Sequence, residues 1–287
     1  MVNFLKFTKL YFLISAFVIG LGLISILVWG FRFSIDFVGG TNLEYKLNKN
    51  VTLADLKKEF SKNNLEVVSL KKVGEIMTAR TKAINEKEEA VFISGMKKDL
   101  KTELVVLRSE TVGPVLGRET MVKTLIASGL ALLGILIYMS YAFKSLNFAT
   151  SAILAMVHDF LVVIGSYSLM SHFLGAELDT LFVTAILTAM SFSVHDTIVI
   201  FDKIREYKRS HGISDFEHST NRALTETLVR SMNNSMTIIF MLLALTLLGG
   251  STIRFFVATL LVGTITGTYS SPFIATPILV WLEKRKK

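Results

Sequence analysis

Two His-Asp dipeptides lie inside long apolar stretches of this sequence, where ionisable side chains are unexpected. They are His158-Asp159 and His195-Asp196. An ionisable group at bilayer depth costs at least about 2.5–3.5 kcal/mol, so it usually faces a partner or a cavity. Protonation of a carboxyl group held there changes which charges it can pair with. The residue types therefore predict a partner side chain or a polar cavity beside each dipeptide.

A polar stripe on the next apolar stretch adds a cation to this chemistry. Arg230, Asn233, Asn234 and Thr237 follow the spacing i, i+3, i+4 and i+7, which places them on one face of a helix. The helices that carry Asp196 and Arg230 are joined by a short loop and run antiparallel, so we expect the two side chains to meet. Burial favours the neutral acid and a guanidinium favours the carboxylate, so protonation would alter this pair.

Each of these residues also has a structural interpretation. Arg230 could snorkel to the lipid headgroups, Asp196 could be a neutral acid hydrogen-bonded to a neighbouring helix, and His158 could be a simple partner for Asp159. A metal site is disfavoured because adjacent residues on a helix diverge by about 100°. The sequence has no zinc-protease motif, no phosphate-loop lysine and no cysteine. No metal, cofactor or enzymatic activity is predicted.

The elements that position these groups are six apolar stretches. Hydrophobic residues make up 51% of the 287 residues and charged residues 19%, whereas soluble domains carry nearer a quarter of charged residues. About 20 apolar residues cross a hydrocarbon core of about 30 Å. The first stretch is too long for the core of a signal peptide, so we expect it to be retained. The stretches lie at about 10–30, 124–143, 146–174, 180–201, 231–250 and 255–282.

The placement of basic residues predicts the orientation of these spans. The net charge is +8, and lysine and arginine concentrate in alternate short segments, which is typical of the cytoplasmic side. Both termini and the loop 203–229 are therefore predicted to be cytoplasmic. Because the positive charge flanks hydrophobic spans, binding to nucleic acid is not expected. The basic residues that carry this prediction are Lys6, Lys9, Lys144, Lys203, Arg205, Lys208, Arg209, Arg222, Lys284, Arg285, Lys286 and Lys287.

One long non-membrane segment, residues 31–120, separates the first and second spans. Its periodicities predict the order βαββαβ of a small ferredoxin-like α+β domain, and the topology places it outside the cytoplasm. The segment 1–30 then holds the N-terminus and the first span, and 121–287 holds spans two to six. The predicted strands are 41–47, 66–73, 76–81 and 104–111, with helices beginning at Thr52 and running from Glu86 to Lys101.

Small residues form one face of the last apolar stretch. Thr259, Gly263, Thr266, Gly267 and Ser270 share this face. A Gly-x-x-x-Gly spacing lets another helix approach closely. We predict that this face packs against another helix of the same chain.

Four sequence blocks, in this order and on this six-span layout, resemble the SecF family of membrane subunits of the Sec protein-export machinery. The likeness covers nearly the whole chain. The blocks are Ser34–Gly40 with Asp36, Phe37, Gly39 and Gly40; Val112–Gly117 with Gly113, Pro114 and Gly117; Ser193–Glu206 with Asp202 and Arg205; and Leu228–Ser231.

The resemblance implies a partner and a driving force. It implies a heterodimer with a SecD-like subunit, in an assembly of the resistance-nodulation-division type in the bacterial cytoplasmic (inner) membrane. That assembly would associate with the SecYEG channel and help to pull translocating, unfolded polypeptide outward with the proton-motive force, its helices contacting membrane lipid. The residues assigned to proton coupling are Asp196, Arg230, His195, Asp159 and Asn234.

The sequence departs from the family pattern at several of these positions. His195 and Asn234 stand where asparagine and threonine are expected, Lys203 stands where arginine is usual, and Ser231 replaces threonine. His195 adds a second titrating group beside the acid. Two other functions stay open: a stand-alone proton-driven exporter of small molecules or lipids, and a purely structural assembly subunit.

Overall fold

The computed structural model describes residues 3–47, 51–100, 102–143, 145–211, 216–250 and 252–285. Lys101, Lys144, Lys286 and Lys287, which enter the predictions above, lie outside these residues. In chain order, the elements are α1 (Thr8–Trp29), α2 (Ile35–Val38), β1 (Gly40–Leu47), α3 (Leu53–Lys62), β2 (Val67–Val73), β3 (Ile76–Thr81), α4 (Glu86–Asp99), β4 (Leu104–Val112), α5 (Pro114–Phe143), α6 (Leu146–Phe173), α7 (Thr180–His211), α8 (Phe216–Leu248), α9 (Arg254–Ser270) and α10 (Thr276–Arg285).

The chain forms two compact units. One is the segment Phe33–Ile126, and the other combines Met1–Arg32 with Ala127–Lys287. The first unit holds the four strands and the short helices, and the second holds a helical bundle. The chain passes from one unit to the other after Arg32 and again within α5.

Five helices of the described residues are long and apolar enough to cross a membrane. At 1.5 Å per residue, the shortest of them, with 26 residues, is longer than a hydrocarbon core of about 30 Å. The prediction of a polytopic helical membrane protein with a small sheet domain is confirmed. The five helices are Phe4–Trp29, Pro114–Phe143, Leu146–Phe173, Thr180–Arg209 and Phe216–Leu248.

The sixth predicted stretch, 255–282, is divided rather than a single α-helix. α9 ends at Ser270, the five residues Ser271–Ala275 are π-helical, and α10 follows directly. Pro272 lies in the π-helical turn, where its missing N–H removes a helical hydrogen bond. The regular α-helical hydrogen-bond pattern is therefore interrupted in the middle of this stretch.

Glycines bring the helices of the bundle into close contact. A Cβ atom on Gly22 of α1 would lie 2.8 Å from the Cα of Gly165 on α6, and one on Gly267 of α9 would lie 3.0 Å from the Cα of Ser193 on α7. A Cβ on Gly263 would collide with Ala189. The small-residue face of the last stretch packs within the chain, which confirms the prediction.

The sheet unit has the predicted order of elements. Its four antiparallel strands lie in the order β2-β3-β1-β4, which is the ferredoxin-like arrangement of a βαββαβ chain. Thr52 and Asn85 close capping boxes at the starts of α3 and α4.

Burial in the core of the sheet unit, together with a hydrogen bond to Glu89, raises the pKa of Tyr45 above its usual range. The core consists of Leu43, Tyr45, Leu47, Val51, Leu56, Phe60, Met77, Ala79, Ile84, Phe92, Met96 and Leu104.

The contact between α1 and α6 predicts a difference between two substitutions two residues apart. Gly22→Leu forces a side chain into the backbone of Gly165, so we expect the free energy of unfolding to fall by about 1–3 kcal/mol. Gly20→Leu is the control, because a Cβ there has nothing within 4 Å. Thermal unfolding of the detergent-purified variants measures both. Equal melting temperatures would show that the two helices do not pack through Gly22.

Candidate functional site

The carboxyl group of Asp159 lies at the centre of a hydrogen-bond cluster in the helical bundle. The side chain is fully buried on α6. Its Oδ2 accepts hydrogen bonds from the hydroxyl of Ser193 on α7 and, at 2.6 Å, from the hydroxyl of Ser270 on α9. Its Oδ1 lies 2.8 Å from Nδ1 of His158. Two hydroxyl donors and one imidazole nitrogen, contributed by three helices, thus surround one buried carboxyl group.

His158 extends this cluster to α1. Its Nε2 lies 2.9 Å from the hydroxyl oxygen of Ser15, which is itself 3.5 Å from the hydroxyl of Tyr269. Tyr269 donates to the main-chain oxygen of Tyr11 at 2.9 Å. Both ring nitrogens of His158 have a partner if the imidazole is neutral and carries its proton on Nδ1, with Ser15 donating to Nε2. His158 is therefore a direct partner of Asp159, as its structural interpretation allowed.

Asp196 lies in a different and more open setting on α7. Its carboxyl group is half-buried and its Oδ2 accepts a hydrogen bond of 3.3 Å from Ser235 on α8. Ser231, one turn earlier on α8, lies near the same carboxyl group. A cavity of about 330 Å³, here called the Asp196 cavity, borders this acid. Its lining consists of Ser191, Phe192, Ser193, His195, Asp196, Asn234, Ser235, Ile238, Thr264, Gly267 and Thr268.

The predicted contact between Asp196 and Arg230 is not formed in this structure. Arg230 is exposed, and the ion pairs found within the described ranges do not include it. The face of α8 that meets α7 carries the small residues Ser231 and Ser235, both buried. Small residues allow helices to approach closely, and this contact turns Arg230 away from Asp196.

The polar stripe of α8 lies on the exposed side of the chain. Arg230, Asn233, Asn234 and Thr237 are all exposed, as the shared helical face predicted. The predicted face exists, but its orientation was wrong, since it does not point at Asp196. Of the four residues, Asn234 alone lines the Asp196 cavity. The i, i+4 pair of serines at 231 and 235 was the signal that the sequence reasoning missed.

The segment around Asp36 and the segment around Pro114 meet in the sheet unit. Ser34 caps α2 by accepting a hydrogen bond of 3.2 Å from the main-chain N–H of Asp36, and Phe37 is buried. Gly39 then adopts φ +77°, and a Cβ there would lie 2.7 Å from the Cα of Pro114. The loop after α2 therefore packs directly against the first residue of α5.

The neighbouring glycines complete this contact. Gly40 has φ +130°, and a Cβ there would lie 2.7 Å from the main-chain oxygen of Thr81 on β3. A Cβ on Gly117, at the start of α5, would lie 2.8 Å from the main-chain N of Gly39. A side chain at these positions would meet main-chain atoms, which cannot move aside as a flexible side chain can. The two sequence blocks thus form one structural joint.

Asp202 and Arg205 interact in the C-terminal part of α7. They form an ion pair, and Arg205 Nη1 also lies 3.4 Å and 3.3 Å from the main-chain oxygens of Ala142 and Phe143. The last carbonyl groups of a helix lack partners within it, so Arg205 caps α5. Within the described residues, no three His, Asp or Glu side chains converge as metal ligands would.

Family models and known sequences match nearly all of this chain. The C-terminal model of the protein export membrane protein SecD/SecF matches residues 93–285, and the SecD/SecF GG motif matches residues 24–51. The protein translocase subunit SecF of Thermobaculum terrenum is 37% identical over 99% of this chain and 95% of its own length. SecF of Anaerolinea thermophila is 37% identical over 99% and 94%. SecDF of Bacillus subtilis is 31% identical over 99% of this chain and 39% of its own length.

Two solved structures are similar to the chain over 99% of its length. The crystal structure of SecDF, a translocon-associated membrane protein from Thermus thermophilus, matches with a TM-score of 0.86 and 29% identity. SecDF in its Super-membrane-facing form matches with a TM-score of 0.64 at the same identity. In both cases the chain spans 39% of the SecDF chain.

The close packing at the joint between the two sequence blocks predicts that one added methyl group destabilises the protein at Gly39 but not at Gly113. Gly39→Ala places a Cβ against Pro114 at a φ that alanine disfavours, so we expect the free energy of unfolding to fall by about 1–3 kcal/mol. Gly113→Ala is the control, since a Cβ there has nothing within 4 Å. Thermal unfolding of the two variants measures the difference. If Gly39→Ala were as stable as Gly113→Ala, the close packing of the loop would be contradicted.

Proposed function

The chain belongs to the SecD/SecF family of protein export membrane proteins, and as a SecF member it is an accessory subunit of the Sec translocase in a bacterial membrane; from this premise we propose that it couples the proton-motive force to the late steps of protein export. The observation that carries the proposal is the half-buried carboxyl group of Asp196, which borders a cavity between apolar helices. A titratable acid at that depth is costly unless it has a function or a partner.

We infer six spans with both termini in the cytoplasm. Five helices satisfy the length and composition of a span, and the sixth would consist of α9, the π-helical turn and α10 in succession. The positive-inside rule orients them. This topology places the domain predicted at 31–120 outside the cytoplasm, and the loop 203–229 inside it.

A SecD-like subunit is the proposed partner. The SecDF relatives extend well beyond the part that this chain matches, so they carry further sequence on the same polypeptide. On this chain, the exposed face of α8 carries Arg230, Asn233, Asn234 and Thr237, which are costly to expose to acyl chains. A helix of the partner would cover this face and enclose the Asp196 cavity as a heterodimer forms.

The proposed coupling residues then have distinct roles. Asp196 takes up and releases the proton, and Ser235 donates to its carboxylate form. Asn234 and His195 line the cavity through which the proton reaches it. Arg230 is exposed here, so it would reach the carboxylate only in a second arrangement of α7 and α8, in which a charged pair replaces the neutral acid. Asp159 is a second buried acid on the adjacent helix.

The coupling must also reach the domain that contacts the client. A local change of one charge pair can bias a bistable arrangement of helices. The two SecDF structures differ in their similarity to this chain at equal identity, which supports a change of conformation among relatives. The joint of Gly39, Gly40 and Pro114 lies where α5 begins, within the sheet unit. Through it, the proposed movement would act on unfolded polypeptide that leaves a SecYEG channel.

Replacing the acid tests the proposal directly. With Asp196→Asn, we expect the proton-gradient stimulation of preprotein translocation into membrane vesicles to be lost, because the neutral amide cannot take up a proton. Glu206→Gln is the matched control, since it removes one carboxylate from the exposed end of the same helix.

The same vesicles distinguish a motor from a scaffold. Co-purification of the SecD-like subunit should be unchanged in both variants. If Asp196→Asn vesicles keep full stimulation by an imposed proton gradient, Asp196 does not couple proton movement to export, and the structural interpretation of this acid holds.

A further inference from the structure

The chain leaves the helical bundle after α1 through residues 30–32, which are not helical and are here called the exit segment. Gly30 has φ +64°, a backbone conformation that favours glycine, and α1 ends beside it at Trp29. The sheet unit begins at the next residue after the segment, Phe33. Movement of α1 can therefore reach the sheet unit only through these three residues.

Two serines of α6 hold the exit segment. The hydroxyl of Ser168 donates a hydrogen bond of 3.0 Å to the main-chain oxygen of Gly30. The main-chain N–H of Arg32 donates to Ser171 Oγ at 3.1 Å. Both serines are buried, and their spacing of three residues places them on one face of α6. Main-chain groups at the end of a helix lack partners within it, and α6 supplies those partners here.

The loop between α6 and α7, residues 174–179, binds the same segment. The main-chain N–H of Leu178 donates a hydrogen bond of 2.6 Å to the main-chain oxygen of Arg32. Both main-chain polar groups of Arg32 are thus bonded, one to α6 and the other to the loop that follows α6. The exit segment is therefore attached to the connection between the two acid-bearing helices.

Tyr167 on α6 fixes the shape of this loop. Its hydroxyl donates a hydrogen bond of 2.6 Å to the main-chain oxygen of Glu177, the residue before Leu178. Its ring is buried, and the ring centroid lies 4.0 Å from that of Phe182 on α7. Gly175 turns the chain with φ +75°. The loop is thus held at both α6 and α7, which fixes the position of the N–H that binds Arg32.

The loop is also continuous with the helix that carries Asp196. Asp179 Oδ1 accepts a hydrogen bond of 2.7 Å from the main-chain N–H of Phe182 in the first turn of α7, which caps that helix. Asp196 lies about 24 Å further along α7 than its first residue, Thr180. Rigid helices carry coupling between distant sites. A displacement of α7 at Asp196 would therefore be carried to the loop.

The second connection between the two units is packed less closely. α5 runs from the sheet unit into the bundle, and none of its residues 127–138 is buried. In contrast, α1 packs on α6 through Gly22 against Gly165 and through a hydrogen bond of 2.8 Å between Ser25 and Ser168. Of the two connections, the one through α1 is thus the one held along an acid-bearing helix.

We propose that Tyr167, Ser168 and Ser171 are positioning residues for the coupling: they fix the exit segment to the α6–α7 loop, so that movement of α6 and α7 is transmitted to the sheet unit. This inference rests on the proposed function and deepens it, because it assigns the step between the acid and the domain that contacts the client. None of the three residues lines the Asp196 cavity. They act through the exit segment and not on the proton.

Removing two of these bonds tests the role in membrane vesicles that contain the complex with its SecD-like subunit. Tyr167→Phe combined with Ser171→Ala keeps the buried ring and removes one bond to the loop and one to the exit segment. One hydrogen bond contributes a factor of about five to an equilibrium, so we expect proton-gradient stimulation of preprotein translocation to fall by about fivefold or more. Proton flux in the same vesicles should not fall, because the Asp196 cavity is unchanged.

Ser25→Ala is the matched control. It removes another buried hydroxyl between α1 and α6 but leaves both main-chain groups of Arg32 bonded. It should keep wild-type proton flux and wild-type stimulation. Tyr167→Phe alone, which retains the packing of the ring, replaces the double variant if that variant does not assemble.

A covalent cross-link gives a second measurement with the opposite sign. The sequence contains no cysteine, so Arg32→Cys with Leu178→Cys introduces the only two thiols of this chain. Joining them with a short bismaleimide replaces the hydrogen bond between these residues by a covalent link. In the Tyr167→Phe, Ser171→Ala background, this link should restore the lost stimulation. In the otherwise unchanged chain, it should leave stimulation as it was.

The outcomes separate this inference from the proposed function. If the wild type is stimulated and the double variant is stimulated equally, the transmission role is wrong and the proposed function stands. Parallel loss of flux and stimulation in the double variant would show that these groups only stabilise the bundle, which also overturns the role. A cross-link that abolishes stimulation in the otherwise unchanged chain would show that the loop and the exit segment separate during transport. If the wild type is not stimulated by a proton gradient, the proposed function fails and this inference fails with it.

Discussion

The structure of the bundle depends on satisfying one buried carboxyl group. Asp159 is inaccessible to solvent, and an uncompensated acid in that position would cost several kcal/mol. Hydroxyls from α7 and α9 and the imidazole on α6 satisfy it. These hydroxyls reach it because the helices approach closely, with Gly267 packed on Ser193. The small-residue face of α9 thus allows these groups to reach Asp159. Their hydrogen bonds to its carboxyl group then fix which faces of α6, α7 and α9 meet.

The sequence predicted the elements well because hydropathy and periodicity are local properties. Apolar length identified five spans, and alternation with helical spacing identified the βαββαβ unit, whose strands pair as expected. The division of the last stretch was not predicted. Its π-helical turn at Ser271–Ala275 depends on a proline together with the packing of Ser271 against Thr197 and Ser193, and that packing is a tertiary property which no local pattern contains.

Sequence spacing predicted which residues of α8 share a face but not which residues that face contacts. Helical spacing placed Arg230 and Asn234 on one face of α8, and the structure has that face. The rotation of α8 about its axis was not predictable from hydropathy, because lipid and helix interior are equally apolar and the hydrophobic effect does not choose between them. The rotation of α8 is set instead by the close packing of Ser231 and Ser235 against α7. The partners of Asp159 were not predicted either, because Ser193 and Ser270 are distant from it in sequence and the patterns that contain them do not point to a carboxyl group.

The two acids differ in how much of their environment this chain supplies. Asp159 has its donors from within the chain, so its site exists as soon as the bundle folds. Asp196 accepts a hydrogen bond from Ser235 and borders a cavity beside an exposed polar face, so in the proposed heterodimer another helix over α8 would complete its surroundings. An acid whose environment is completed by a partner changes its proton affinity when that partner moves, because burial and nearby charge both act on the charged form. An acid enclosed by its own chain does not sense the partner directly. Movement of a partner subunit would therefore be registered at Asp196 rather than at Asp159.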